Sequence, residues 1–168
     1  MTAPPLFDTH AHLHFPELVA DLDGVLERAR AAGVTGMVTI GTDRETNPAA
    51  VALAERLDAV HATVGIHPHD AAEATPADFE AMEGLARGSA KVVALGEMGL
   101  DFFRNLSPPD IQTTVFRRQL AMARELDKPV VIHCRDAHPE ALAILAEERV
   151  SEVGGVMHCF SADVAVAR

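Results

Sequence analysis

The sequence predicts an α/β fold: a parallel sheet built from successive βα units, TIM-barrel-like but incomplete, with about six of the eight units. Three observations carry this. Apolar runs alternate with amphipathic stretches along the whole chain. The runs themselves, such as Val92-Val93-Ala94-Leu95 and Val130-Val131-Ile132, are almost wholly apolar, as strands buried on both faces are. They begin near residues 6, 34, 60, 91, 129 and 153, leaving room for one crossover helix each. An eight-unit barrel needs ~250 residues, and 168 residues accommodate six units. An open, doubly wound sheet fits the same alternation, although no phosphate-binding glycine fingerprint is present. No linker, repeat or low-complexity segment divides the chain, so residues 1–168 read as a single domain.

Each element follows from local signals. Leu6-Phe7 opens a first strand that ends at His12. Residues 17–32 read as one helix, with Leu18, Leu22, Val25, Leu26 and Ala29 on one face and Gly33 as its stop. The second strand covers 34–41. Asn47-Pro48 reads as a cap and a first-turn proline for a helix ending at Leu57. The third strand covers 60–66, with His67 at its tip. Thr75-Pro76 caps a helix whose buried face is Phe79, Met82, Leu85 and Ala86. The fourth strand runs from Lys91 to Glu97, and a longer helix from about Asp110 to Leu126. Pro129 opens the fifth strand, which ends at His133, and Pro139 starts the next helix. The sixth strand ends at His158, and Ser161 reads as the cap of a last helix.

Composition narrows the function. Lys and Arg number 14 against 25 Asp and Glu, a net charge of −11. Proteins that wrap nucleic acid through many phosphate contacts are basic, so broad electrostatic wrapping is excluded. A focused site with bound cations could still take a phosphate. No apolar run approaches the ~18 residues of a membrane span. Two cysteines make no disulfide framework, and the opening Met1-Thr2-Ala3-Pro4-Pro5 lacks a signal-peptide layout. These point to a reduced cytoplasm.

Polar residues gather where the predicted strands end, the rim that holds active sites in parallel α/β folds. His10 and His12, two apart on a strand, share a face and can chelate one metal. Alone, such a pair reads equally as turn or surface histidines. Glu97, His133 and His158 occupy matching positions at the ends of other strands. Burying four imidazoles and a carboxylate together without a cation is costly. A metal removes that cost. Imidazole with carboxylate suits Zn²⁺, Mn²⁺ or Fe, with Mg²⁺ less natural, and a bridging carboxylate would make the site binuclear.

Five motifs stand in order: Asp8-Thr9-His10-Ala11-His12-Leu13, Gly65-Ile66-His67-Pro68-His69, Gly96-Glu97-Met98-Gly99-Leu100-Asp101, Pro129-Val130-Val131-Ile132-His133-Cys134-Arg135-Asp136-Ala137 and Gly155-Val156-Met157-His158-Cys159-Phe160-Ser161. Together they resemble the TatD family of metal-dependent hydrolases, described as deoxyribonucleases, within the amidohydrolase superfamily. The resemblance implies that His10, His12, Glu97, His133 and His158 bind one or two divalent ions (Mg²⁺, Mn²⁺ or Zn²⁺), with Glu97 shared between them as the catalytic carboxylate. It also implies a nucleic-acid substrate, DNA ends or short single strands. The family's last ligand and general base, an aspartate in an Asp-Ser-Pro-type motif, would lie beyond Arg168, so by this resemblance the two C-terminal βα units are absent. Asp163 is a poor substitute, because the start of a helix gives it a capping role.

Arg135, two residues after His133, is a candidate contact to a substrate phosphate, with a salt bridge to a rim carboxylate as the alternative. His67 is a candidate to touch substrate or orient a ligand, or to make a structural hydrogen bond. Phe102 and Phe103 could stack on a base or pack their loop, and Arg104 reads as solvated. His14, His61, His69 and His138 read as surface or supporting residues, and Asp101 as a loop stabiliser. Cys134 and Cys159 read as small buried hydrophobes facing the helix layer. Three functions compete: phosphodiester hydrolysis, hydrolysis of a small amide, lactone or ester, and a non-catalytic or unstable fragment. Free sheet edges would favour self-association.

Overall fold

The computed structural model describes residues 4–168. Six strands form one sheet in the order β1-β2-β3-β4-β5-β6, every neighbouring pair parallel. They are β1 (Leu6–Ala11), β2 (Val34–Ile40), β3 (Val60–Val64), β4 (Val92–Asp101), β5 (Val130–Arg135) and β6 (Gly155–Met157). An order that never reverses is single winding, so right-handed crossovers lay the helices on one face, as in a barrel. The doubly wound alternative, which needs a reversal, is excluded. In a flat sheet five steps of ~4.8 Å would hold β1 and β6 about 24 Å apart. Instead His10 and His158, at the ends of these outermost strands, stack with ring centroids 3.4 Å apart. The sheet is therefore curled into a partial barrel.

The helices are α1 (Pro16–Val19), α2 (Leu22–Ala31), α3 (Thr46–Arg56), α4 (Pro76–Gly88), α5 (Pro109–Glu125), α6 (His138–Glu147) and α7 (Val164–Ala167). The single helix expected over 17–32 is two, because Asp21 leaves the helical region between them (φ −137°). Thr75 caps α4 as expected, in a capping box with Asp78. A 3₁₀ segment over Pro68–Glu73, unmarked in the sequence pattern, follows β3. The last helix is capped by Asp163, whose carboxylate accepts from Ala165 and Val166, and not by Ser161. The core lies between sheet and helices, with Val60, Val64, Leu95 and Leu100 of the strands meeting Met82, Phe116 and Leu120 of the helices.

The strands do not end where the sequence placed them. β1, β2, β3 and β6 stop short of His12, Gly41, His67 and His158, which lie in the rim loops. β5 continues past His133 to Arg135. β4 continues four residues past Glu97, because Gly96 (φ +134°) and Gly99 (φ +143°) hold backbone that lets it stay paired with β5. There is no room for a side chain at either: a Cβ on Gly99 would lie 1.9 Å from the His133 carbonyl oxygen. The pairing runs Leu95↔Val130 and then Met98↔Ile132, three residues of β4 against two of β5. β1 does the same against β2, from Asp8↔Met37 to Ala11↔Thr39. Such bulges redirect a side chain. One contains His10 and the other Glu97. At the first, the His10 amide donates to Asp8 Oδ1 at 3.0 Å in place of a ladder partner.

Three buried side-chain amides then fix the rim. Asn47, inside α3 and so not its cap, donates to the Gly65 carbonyl (2.9 Å) and accepts from its amide (3.0 Å). Gln119 does the same for Ile66, at 3.0 and 2.8 Å. Gln112 accepts from the Asp101 amide at 2.8 Å and donates to the Ser107 carbonyl at 2.7 Å. Backbone groups that leave the ladder are thereby satisfied, as buried groups must be.

Candidate active site

Glu97 sits at the centre of the rim and is 4 % exposed. Its Oε2 lies 3.3 Å from His10 Nε2 and its Oε1 lies 3.1 Å from His133 Nδ1. Two groups of donor atoms meet at this carboxylate: His10, His12 and Glu97, and His67, Glu97 and His133. Within each, the atoms all lie within 4.8 Å of one another, close enough to hold a metal ion. His158 belongs to neither group and lies face to face with His10.

Hydrogen bonding assigns each ring a distinct capacity. His12 Nδ1 faces the Ile40 carbonyl oxygen at 3.1 Å, which accepts and cannot donate. The proton therefore sits on Nδ1, and Nε2 keeps a lone pair for a ligand. His133 Nε2 faces Asp101 Oδ2 at 3.0 Å, leaving Nδ1 toward Glu97. A lone pair there would face a carboxylate, so a proton or a cation must sit between them. His67 is the reverse case. Its Nδ1 accepts the His69 amide N–H at 3.1 Å, so the neutral ring carries its proton on Nε2 and is a donor. Burial, with the nearby His133 ring, pushes His67 down to about 3, so it is neutral at ordinary pH.

The charges agree. Burial alone would raise the Glu97 carboxyl, yet hydrogen bonds from His10 and His133 and the field of His67 hold it well below the usual range. Burial works against a charged His133, but Glu97 and Asp101 outweigh it and raise its pKa. Burial and the neighbouring His10 lower His12 and His158.

Asp101 is more than the loop stabiliser expected. It is 1 % exposed, and its Oδ2 accepts from Nε2 of both His69 (2.8 Å) and His133 (3.0 Å), while Oδ1 accepts the Arg104 amide (2.7 Å). His69, expected to be peripheral, is thus bound into the cluster. Arg135 makes no ion pair among the described residues; its guanidinium carbon lies 3.8 Å over the Phe103 ring. His14 touches Thr39 Oγ1 and meets the His12 ring edge-on at 5.9 Å, whereas His61 stacks on Phe7 and His138 meets Phe160, both outside the cluster. Cys134 is buried as expected, which pushes its thiol up to about 11. Cys159 is exposed at φ +47°, because the chain turns sharply there and does not continue β6.

A single-wound βα sheet curled around a buried carboxylate and its imidazoles defines the class: a TIM-barrel-like fold with a rim of imidazoles and carboxylates. More narrowly, the chain belongs to the TatD-related DNase family, whose model matches residues 7–168. It is 46 % identical over 163 residues to a protein of Bacillus subtilis described as the uncharacterized metal-dependent hydrolase YabD, covering 97 % of this chain and 64 % of that one. It is 44 % identical over 156 residues to the 3'-5' ssDNA/RNA exonuclease TatD of Klebsiella pneumoniae, covering 93 % and 59 %. The crystal structure of YJJV, a TatD homolog from Escherichia coli, superposes with a TM-score of 0.90 at 32 % identity, covering 96 % and 62 %. The chain thus spans about three fifths of the length of these relatives.

Proposed function

We propose that this chain carries the site of a divalent-metal-dependent nuclease that hydrolyses phosphodiester bonds near the end of a nucleic-acid strand. The observation that carries this reading is Glu97, which directs one oxygen to each of two imidazole groups and would bridge two ions. The donor set fits such ions. Nε2 of His12 is preset as an acceptor, and the Glu97–His133 contact requires a positive charge between its members, a proton that an ion would replace. His10 Nδ1 is buried without a hydrogen-bond partner, which marks that ring as awaiting a further contact. His10, His12, Glu97, His133 and His158 are the proposed ligands. Divalent ions bound there would polarise a phosphoryl oxygen and acidify a water molecule. An imidazole-rich donor set favours Zn²⁺ or Mn²⁺ over Mg²⁺.

The residues around them divide the remaining work. His67, whose Nδ1 is taken by the His69 amide, would offer its Nε2–H to a phosphoryl oxygen, and its neutrality keeps it a donor without adding charge. Asp101 holds His133 in the tautomer that offers Nδ1. Arg135, uncommitted at the mouth, favours an anionic phosphodiester over a neutral amide or lactone. The relatives named as exonucleases of single-stranded DNA and RNA support the same substrate class. The test is hydrolysis of short oligonucleotides, beside an amide and lactone panel, after chelation and with each of Mg²⁺, Mn²⁺ and Zn²⁺ restored. Phosphodiester cleavage that chelation abolishes and a cation restores is expected. Cleavage confined to amides or lactones would reject the reading.

A further inference from the structure

The loop after β4 holds out a phenylalanine that the core does not use. Phe103 is 59 % exposed, yet its loop is tied down at many points. The Arg104 and Asn105 amides donate to Asp101 Oδ1 (2.7 Å) and Asp101 O (3.2 Å), and the Phe102 amide to the Arg135 carbonyl (3.0 Å). The Ser107 hydroxyl donates to the His69 carbonyl (2.8 Å) and accepts the Ala72 amide (2.9 Å). Fixed loops that display an aromatic ring to water are preorganised to bind a flat partner.

One face of that ring carries the Arg135 guanidinium, 3.8 Å from the centroid. The same kind of pair occurs between Arg118 and Phe79, at 3.7 Å, but there the ring is 3 % exposed and serves core packing. At Phe103 the ring is open. Arg135 is itself exposed, and among the described residues it has no carboxylate partner, unlike Arg44, Arg117 and Arg124. Its donors are uncommitted in a chain of net charge −11. The pair also adjoins the cluster: Arg135 is in register with Asp101, whose carboxylate holds His133.

We propose that Phe103 and Arg135 form a platform that stacks an unpaired nucleobase and grips the adjoining phosphate of a single-stranded end. The proposal rests on the nuclease reading above and adds the residues that would hold the terminal base. A base within a duplex is stacked on both faces and cannot lie on the ring, whereas a terminal unpaired base can. Arg135 then serves twice, its plane extending the stacking surface and its N–H edge meeting the phosphate.

The experiment is binding of a short, fluorescently labelled oligothymidylate to the ion-free chain, where hydrolysis is silent. A second strand with the same phosphates but abasic terminal positions is the comparison. Phe103→Ala should weaken binding of the base-bearing strand roughly tenfold or more and leave the abasic strand unchanged. Phe103→Trp should keep base-dependent binding, and Arg135→Ala should weaken both strands. Equal affinity of Phe103→Ala and the parent chain for the base-bearing strand, or equal weakening on both strands, overturns the platform. The two readings separate cleanly. Base-dependent binding without metal-dependent cleavage would leave the platform standing and remove the nuclease assignment. Cleavage with Phe103→Ala binding unaltered would do the opposite.

Discussion

Replacing Asp101 by asparagine tests how the imidazoles are held. The change is isosteric, so the buried volume is kept. The Arg104 amide needs an acceptor, so the new side-chain oxygen stays there, at the position of Oδ1. The NH₂ group then replaces Oδ2 opposite Nε2 of His133 and of His69, 3.0 and 2.8 Å away. Donor would face donor unless both rings move their proton to Nδ1. For His133 that keeps the proton on the atom facing Glu97, because yielding Nδ1 to an ion would leave Nε2–H against the amide NH₂. Groups that orient a metal-binding histidine typically contribute 10–100-fold to metal affinity, about 1.4–2.7 kcal/mol. Losing charge-assisted bonds to a buried carboxylate should cost stability as well, on the order of 1–3 kcal/mol. Ring ¹⁵N shifts of His133 in the ion-free chain would report the tautomer, and Mn²⁺ or Zn²⁺ titration calorimetry the affinity. Nε2 still protonated in the variant, together with affinity within threefold of the parent chain, would refute the reasoning.

Other expectations follow from the same geometry. Glu97→Ala should lower bound metal more than any single histidine change, because both donor groups contain Glu97; undiminished stoichiometry in that variant would remove the bridging role. Gly99→Ala should destabilise by roughly 3 kcal/mol or more, seen as a lowered denaturation midpoint, because its Cβ meets the His133 carbonyl at a positive φ. Gln119→Leu strands the Ile66 amide and carbonyl and should cost about 2–5 kcal/mol by the same measurement. Acid should destabilise the ion-free chain. Folded His67 stays neutral down to about 3, whereas the unfolded ring protonates near ~6.5, so across that window the unfolded state binds the extra proton and each pH unit of acidification costs up to about 1.4 kcal/mol. Glu97 and Asp101, held low by their partners, add to the loss only below ~4.5, while His133, held high, contributes stability that fades as pH rises through its folded value. Urea midpoints across this range should flatten in His67→Asn. The free edges of β1 and β6, with Leu6, Phe7 and Val156 exposed, should promote self-association, visible as a concentration-dependent mass in light scattering.

The sequence carried the βα rhythm because buried parallel strands and amphipathic helices write two clear periods. It also placed His10, His12, Glu97 and His133 on one rim, since each follows an apolar run. What it hid was local backbone irregularity. Gly96 and Gly99 read as a strand end, whereas they keep β4 paired while a bulge turns Glu97 inward. That error concealed Asp101, which the two-residue alternation from Glu97 would have placed on the same face had the strand been continued. His69 was recoverable from its spacing, because His67-Pro68-His69 repeats the His-x-His of β1. Asn47 misled for a different reason: Asn-Pro reads as a helix cap, and nothing local reveals that its amide mimics a strand partner for Gly65. The break between α1 and α2 had one faint sign, an aspartate at position 21 inside an apolar pattern.

The unreversed strand order has a kinetic consequence. Each strand pairs only with its neighbours in sequence, so the sheet can be assembled stepwise, each pairing waiting only on its own crossover. The stacking of His10 on His158 is different, for it joins residues 148 positions apart (158 − 10). It can form only after every intervening unit is in place. β6 is also the shortest strand, at three residues, and its Val156 is exposed. Amide protons there should exchange soonest, and those of β4 and β5 last. Opening of that last strand would carry away His158 alone and leave Glu97, His12 and His133 assembled, so the cluster should lose its members one at a time from this side before the sheet itself melts.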